Sequence, residues 1–398
     1  MTAVVTNASY RMVLAFMRDL ADKGIRVVAC YYGEEPYTLR SNSVHTAVKV
    51  PDPYIYPNDY ANVLFSICKD IFEKENEKPA LLPINTKELE ILSQPEVRSR
   101  LEEVCGLAIT DHDTLDFANN KARVQELCEE LGIVTPNTYH PACREDFEGY
   151  PYPLIVKPVC GEKFGLKAGE RFLIGWDAKG AADAWEYFTR LCDETIIQDR
   201  IFGEECGLAC VIHNGEIITG VTEVAVRTQF LDGGQPTYIY TNPLDIYMDA
   251  STKLAKALNL TGLFMFQFMR DREGTLYMME INCRMCGSYS ICRRSKSSAG
   301  YDLFAISKGL EPLRQHGRVG VHHFILPADF FRAYQAVKAG KYMDALGCVG
   351  TWLNLKNYEC VFELGDPKAS FAYIFHYLRQ GFGSKGAGSR RRTRLPED

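Results

Sequence analysis

The chain has 398 residues, 46% of them hydrophobic, which is enough for two or three packed domains with sizeable cores. Its 45 basic and 51 acidic residues leave a formal charge of −6 and a pI near 5.9, a balance that gives no reason to expect nucleic acid or an anionic membrane as partner. No apolar run approaches the roughly 18–20 residues of a membrane span, and the opening MTAVVTNASYRM lacks the succession of a secretory signal. The 14 cysteines are scattered, and many (Cys30, Cys128 and Cys210 among them) sit in apolar segments, as buried free thiols of a reducing, cytoplasmic setting do. Cys283 and Cys286 form a C-x-x-C, but no second pair or histidine cluster lies nearby to complete a zinc site.

Residues 1–115 alternate between strand and helix patterns. AVVT (3–6), IRVVACYY (25–32) and ALLPI (80–84) read as strands, while RMVLAFMRDLADKG (11–24) and ANVLFSICKDIFEKE (61–75) read as helices. This alternation predicts a parallel α/β sheet. The first strand-to-helix turn, TNASYR, has no Gly-x-Gly-x-x-Gly, which argues against a nicotinamide dinucleotide site. Asn85 and Thr86, between a strand and a helix, are read as an N-cap, with a ligand-facing role as the other option.

DFANNKARVQELCEELG (116–132) predicts an amphipathic helix with Val124, Leu127, Cys128 and Leu131 on one face and Lys121 in its first turn. A basic residue there opposes the helix dipole, a local cost that a bound anion would remove. YPLIVKP is a buried strand ending at Lys157-Pro158, and the 160–169 stretch behind it mixes glycines with Lys163 and Lys167, a loop able to close over phosphates. TIIQDRI (195–201) is another strand. GLACVIH and EIITGVTEVAV meet at Asn214-Gly215, the dipeptide favoured by a type I′ hairpin turn. Beyond them FLDGGQPTYIY reads as a flexible loop and 249–260 as a helix. His322-His323 is assigned a structural or surface role. The last 80 residues mix strands and helices, and the final GSKGAGSRRRTRLPED has a disordered composition, with a charge of +3 (five positive, two negative) from Lys385 on.

GLFMFQFMRD and TLYMMEINCR, joined by a turn at Asp271–Gly274, read as a hairpin. A two- or four-residue loop pairs positions whose numbers sum to 545, which sets Gln267 opposite Met278 and turns Gln267, Glu280 and Asn282 to one face. A three-residue loop would break that arrangement. An amide inside LFMFQFM is costly to bury unpaired, by about 1–3 kcal/mol, so Gln267 is expected to have a partner. Carboxylate and amide oxygens at this spacing suit Mg²⁺, and Arg284, one step further, suits a phosphoryl oxygen. On spacing alone a metal site and a structural polar network both stay open.

FMFQFMRDREGTLYMMEINCRMCGS resembles the metal-binding end of the ATP-grasp superfamily, especially the carbamoyl phosphate synthetase large-subunit-like branch. The resemblance covers about 116–310. It implies an N-terminal parallel α/β (pre-ATP-grasp) domain over 1–115 and a two-lobed ATP-grasp domain over 116–316, with a nucleotide lid at about 117–200. A small α+β extension (317–384) and a disordered basic tail (385–398) would follow, so the fold class is α/β and α+β. By the same resemblance, Lys121 and Lys157 hold the α- and β-phosphates, and the 160–169 loop is the glycine-rich flap. Gln198, Asp199 and Ile201 contact adenine at the hinge, and Glu205 bonds the ribose. Gln267, Glu280 and Asn282 bind magnesium, and Arg284 meets the transferred phosphate. Most relatives carry Glu where this chain has Gln267, which lowers the negative charge and leaves one or two metals open. The implied cofactors are ATP and Mg²⁺, with Mn²⁺ as an alternative.

The implied activity is an ADP-forming carboxylate–amine ligase working through an acyl phosphate. Its partners would be ATP, a small carboxylate (an amino acid among the candidates) and an amine acceptor, with no nucleic acid or membrane, and with a homodimer left open. Arg227 and Arg293 are the candidates for binding a substrate carboxylate. Carbamoyl phosphate synthetase-like phosphorylation of bicarbonate or carbamate is the nearby alternative, and a non-catalytic nucleotide-binding scaffold the more distant one.

Overall fold

A computed structural model describes residues 1–159, 166, 172–192, 194–231 and 233–383. Three sheets follow one another along the chain. The first is wholly parallel, in the order β3-β2-β1-β4, from β1 (Thr2–Val5), β2 (Arg26–Tyr31), β3 (Thr46–Lys49) and β4 (Ala80–Leu82). Strands β1, β2 and β4 are short and nearly continuously apolar because helices cover both faces, as parallel sheets require. Strand β3 went unseen in the sequence because TAVK is largely exposed and too short for a pattern. The helix expected from residue 61 starts earlier, at Pro57, where a proline suits the first turn.

The second sheet, antiparallel and in the order β5-β8-β6-β7, contains β5 (Thr138–Tyr139), β6 (Leu154–Pro158), β7 (Leu173–Gly175) and β8 (Thr195–Asp199). It packs with the helix Ala178–Leu191 around a small core of its own that includes Phe147, Val156, Phe188 and Ile197. Along β6 burial alternates, so Leu154 and Val156 enter that core while Lys157 faces away from it.

The third sheet has seven strands in the order β13-β12-β9-β10-β11-β14-β15. They are β9 (Gly203–His213), β10 (Glu216–Phe230), β11 (Gly233–Tyr240), β12 (Gly262–Asp271), β13 (Leu276–Asn282), β14 (His322–Phe324) and β15 (Tyr358–Glu359). Only β14 and β15 pair in parallel. Asn214 and Gly215 both have positive φ, 49° and 77°, so β9 and β10 are joined by the expected I′ geometry. The expected flexible loop at FLDGGQPTYIY is instead strand: β11 pairs with both β10 and β14, which satisfies its backbone groups. One face of this sheet (Cys206, Leu208, Phe264, Phe266, Phe268) packs under the helices His112–Asn119, Lys121–Glu130 and Asp245–Ala257. The other (Ala209, Val211, Met265) meets the helix Ala299–Lys308.

The single helix expected over 116–132 is two, His112–Asn119 and Lys121–Glu130. Asn120 leaves helical geometry at ψ 107° and caps the second helix by accepting from the backbone N–H groups of Ala122 and Arg123. Behind the large sheet, the helices Leu326–Lys338, Tyr342–Leu353 and Pro367–Gly383 make up most of the C-terminal extension. Among the described residues no helix is long and apolar enough to cross a membrane.

Candidate ATP and metal site

The hairpin of β12 and β13 is built differently from its expected register. Asp271 and Thr275 close a three-residue loop, and near it Phe268 pairs with Met278 and Met269 with Tyr277, sums of 546. A bulge then absorbs Met279, and beyond it Gln267 pairs directly with Glu280 and Met265 with Asn282. The expected partner of Gln267, Met278, is therefore wrong, and the bulge restores the parity that a three-residue loop would have lost. Gln267, Glu280 and Asn282 share the half-exposed face, while Phe264, Phe266, Phe268, Met278 and Ile281 fill the core behind it.

The polar groups on that face form one connected set. The Asn282 amide donates to Gln267 Oε1 (3.2 Å) and Glu280 Oε1 (3.3 Å), and Arg284 donates to Asn282 Oδ1 at 3.1 Å. Gln267 donates to Glu205 Oε1 at 2.9 Å, so the amide has the partner it was expected to need. From the other lobe, Lys121 Nζ reaches Glu280 Oε2 at 3.2 Å and the Val159 carbonyl at 3.5 Å. Burial works to raise the Glu280 carboxyl, but Lys121, Lys157 and Arg284 outweigh it and hold the group at about 2. Burial, then the neighbouring Lys121, bring Lys157 down to about 8 against the opposing pull of Glu280.

The other expected site residues sit as follows. Gln198, Asp199 and Ile201 lie at the end of β8 and in the short connection to β9, where the chain passes from the small sheet to the large one. The Gln198 side chain is turned inward, donating to Gln125 Oε1 (2.6 Å) and Thr138 Oγ1 (3.1 Å), and Asp199 accepts from Asn137 and Tyr139. Neither side chain is therefore directed at a ligand, which leaves recognition there to the backbone. Apart from Leu166, the 160–169 flap lies outside the described residues, as does the 385–398 tail.

Arg227 and Arg293 are not brought to the site. Arg227 makes a two-pronged pair with buried Asp329 (3.1 and 2.7 Å), bonds Thr351 and stacks over Tyr238. Arg293 bonds Asp22 (3.0 and 2.6 Å) and Glu363. Both guanidinium groups are committed to fastening elements together. Asn85 heads its helix as expected, its backbone N–H bonded by Glu88 at 3.2 Å. The neighbouring Ile84 carbonyl accepts from the Met285 N–H at 3.1 Å, which fixes the N-terminal domain beside Arg284. His323 is buried against Ser290, a structural placement. The sequence reading passed over Glu223, a buried acid on the same sheet face; its signal was a carboxylate inside the apolar and β-branched run GVTEVAV.

The chemistry of the donors fits a magnesium ion. Glu280 is ionised at neutral pH, Gln267 offers an amide oxygen, and Asn282 can present its own after a half-turn of the amide. The two lysines and Arg284 suit a polyphosphate.

A family model described as "ATP-grasp in the biosynthetic pathway with Ter operon" matches residues 192–316. The carbamoyl phosphate synthase large chain of Rhodopirellula baltica is 25% identical over 267 residues, 59% of this chain and 23% of that protein. The chain thus spans about a quarter of this relative. Among solved structures, the biotin carboxylase of Campylobacter jejuni aligns with a TM-score of 0.60 at 13% identity, covering 80% of this chain and 74% of the other. The L-amino acid ligase of Bacillus licheniformis aligns with a TM-score of 0.55 at 15% identity, covering 78% and 74%. With the parallel N-terminal sheet, the two-lobed arrangement and the E-x-N-x-R strand in place, residues 192–316 match an ATP-grasp family and the chain is similar to the large chains of carbamoyl phosphate synthases.

Proposed function

We propose that the chain is an ATP- and Mg²⁺-dependent, ADP-forming ligase that joins a small carboxylate to an amine through an acyl phosphate. The observation that carries this reading is the convergence of Lys121 and Lys157 from one lobe with Glu280, Asn282 and Arg284 from the other on a single polar face. The proposed domain bounds are those expected from the sequence: 1–115, 116–316 and 317–384.

Lys121 and Lys157 hold the phosphates of ATP. Glu280, Gln267 and Asn282 hold magnesium, which when bound neutralises phosphate oxygens. Arg284 lies one step along the strand, where it meets charge gathering on the phosphoryl group in transfer. A carboxylate oxygen takes that group and ADP leaves; the amine nitrogen then bonds to the acyl carbon, phosphate departs with the electron pair of the broken C–O bond, and the proton lost by the nitrogen passes to solvent. Asp199, Ile201 and Glu205 border the connection between the lobes, where the adenosine would lie.

The test is ADP and phosphate release from Mg-ATP against a panel of amino acids, other carboxylic acids and amines. The ligase requires both a carboxylate and an amine for coupled release, and loss of that release in Glu280→Gln and Arg284→Ala. Release driven by bicarbonate and ammonia alone would replace this reading with carbamoyl phosphate chemistry. Nucleotide binding without turnover would replace it with a scaffold.

A further inference from the structure

The register of the large sheet lines up four positions. Glu223 on β10 lies opposite Gly207 on β9, Gly207 opposite Gln267 on β12, and Gln267 opposite Glu280 on β13. Directly opposed residues share a face, so Glu223 stands on the face that carries the candidate metal ligands. Two strand spacings separate it from Gln267, about 10 Å between backbones. Gly207 places no side chain between them, and a Cβ there would come within 2.8 Å of the Phe266 carbonyl oxygen and 2.9 Å of the Met265 methyl.

Glu223 is 7% exposed, and among the described residues its single hydrogen bond is accepted by Oε2 from Ser288. No cation of the described residues balances it. The other buried acids are better answered. Asp329 holds Arg227, Asp366 holds Arg18, and Asp19 accepts from Tyr289 near Arg293. Asp302 accepts from Thr219, Ser298 and two backbone N–H groups, and Glu88 from Thr6 and two backbone N–H groups. A buried carboxylate without a cation is costly, and a ligand can supply what the chain does not. Ser288, which orients it, lies four residues beyond Arg284 in the segment that leaves the metal strand. The unanswered carboxylate therefore stands on the sheet face that carries the proposed magnesium ligands, two strands away from Gln267.

We infer that Glu223 is the specificity-determining residue that receives the ammonium group of the acceptor, which passes one proton to solvent before its nitrogen attacks, so that the acceptor is a primary amine protonated in solution rather than a neutral amide nitrogen. This rests on the ligase reading above. The two are separated by using hydroxylamine, a nucleophile uncharged at neutral pH, beside cationic acceptors. Wild-type protein with Mg-ATP, a pool of carboxylic acids and hydroxylamine is assayed for hydroxamate, and amide formation is assayed with each proteinogenic amino acid as acceptor.

Glu223→Gln is expected to retain hydroxamate formation while the KM for the amine acceptor rises about ten- to hundredfold, the effect of one charged hydrogen bond. Glu223→Asp, which keeps the charge on a shorter arm, should fall between the two and guards against a folding defect in the first variant. An unchanged amine KM in Glu223→Gln overturns the assignment. So does an equal fall of hydroxamate and amide formation in Glu223→Gln and Ser288→Ala, which would make the pair a support for the Arg284 segment only. Absence of hydroxamate from the wild type defeats the ligase reading itself, and this inference with it.

Discussion

Glu280 is where the charges of the site meet. Lys121, Lys157 and Arg284 hold its carboxyl at about 2 against burial, so it is anionic throughout the physiological range. Its folded value lies below the unfolded one, so it contributes stability above the ordinary carboxylate range and loses that contribution as pH falls toward 2. Lys157 runs the other way. Its folded value of about 8 lies below the ordinary lysine value, so the fold disfavours its charged form. That penalty grows as pH falls from the lysine range and is complete below about 8.

Phosphates set beside Lys157 would return its charge, so nucleotide binding near pH 8 should take up protons. Calorimetry in buffers of different ionisation heat should show this uptake, its disappearance near pH 6.5, and its loss in Lys157→Met. Glu280→Gln, which leaves three cations facing a neutral amide, should lower the rate of carboxylate-dependent ADP formation by about a hundredfold or more, the scale of an electrostatic catalytic group. Steady-state kinetics on a variant with unchanged circular dichroism checks it.

At the scale of elements, the hairpin shows what a sequence can and cannot reveal. Glu280, Asn282 and Arg284 were legible because strand alternation is local: residues two apart share a face whatever the rest of the fold does. The cross-strand register was not legible, because it depended on a three-residue loop compensated by a bulge at Met279, and neither leaves a signature in MRDREGTLYMME. The ion pairs that engage Arg227 and Arg293 were hidden for a related reason. Their partners are distant in sequence, Asp329 at 102 residues from Arg227 and Asp22 at 271 from Arg293, so the sequence displays the cation without its counter-ion.

The Arg227–Asp329 pair joins β10 to the helix Leu326–Lys338, with Thr237 and Trp352 also donating to Asp329. Removing one partner strands a buried charge. Arg227→Ala should therefore lower unfolding free energy by about 3–5 kcal/mol in denaturant titration. Its KM for the carboxylate substrate should stay close to wild type, and a large selective rise in that KM would return Arg227 to the substrate site.

Across the whole molecule, the N-terminal domain and the C-terminal extension are fastened to each other as well as to the ATP-grasp unit. Arg18, 2% exposed on the first helix, bonds Asp366 at 2.9 Å and the Val361 carbonyl at 2.6 Å, while Arg293 bridges Asp22 and Glu363. The parallel α/β unit and the mixture of strands and helices in the last 80 residues could be read from hydrophobic periodicity, and the two-lobed unit was implied by the resemblance of the metal-binding strand. The fastening could not, since it joins residues 348 positions apart. Arg18→Ala should destabilise by about 3–5 kcal/mol. Limited proteolysis should then release the extension and expose the N-terminal domain together, and release of the extension alone would show that the two fold independently.

Carboxylate activation is tested most directly by following oxygen. With carboxylic acids labelled by heavy oxygen in the carboxyl group, Mg-ATP and amine acceptors, attack on the γ-phosphoryl group followed by amide formation must leave one carboxyl oxygen in the released phosphate. Mass spectrometry of that phosphate should find one heavy oxygen per turnover, abolished in Glu280→Gln. Phosphate released without label would mean that water, not a carboxylate, takes the phosphoryl group, and would contradict the proposed chemistry at its first step.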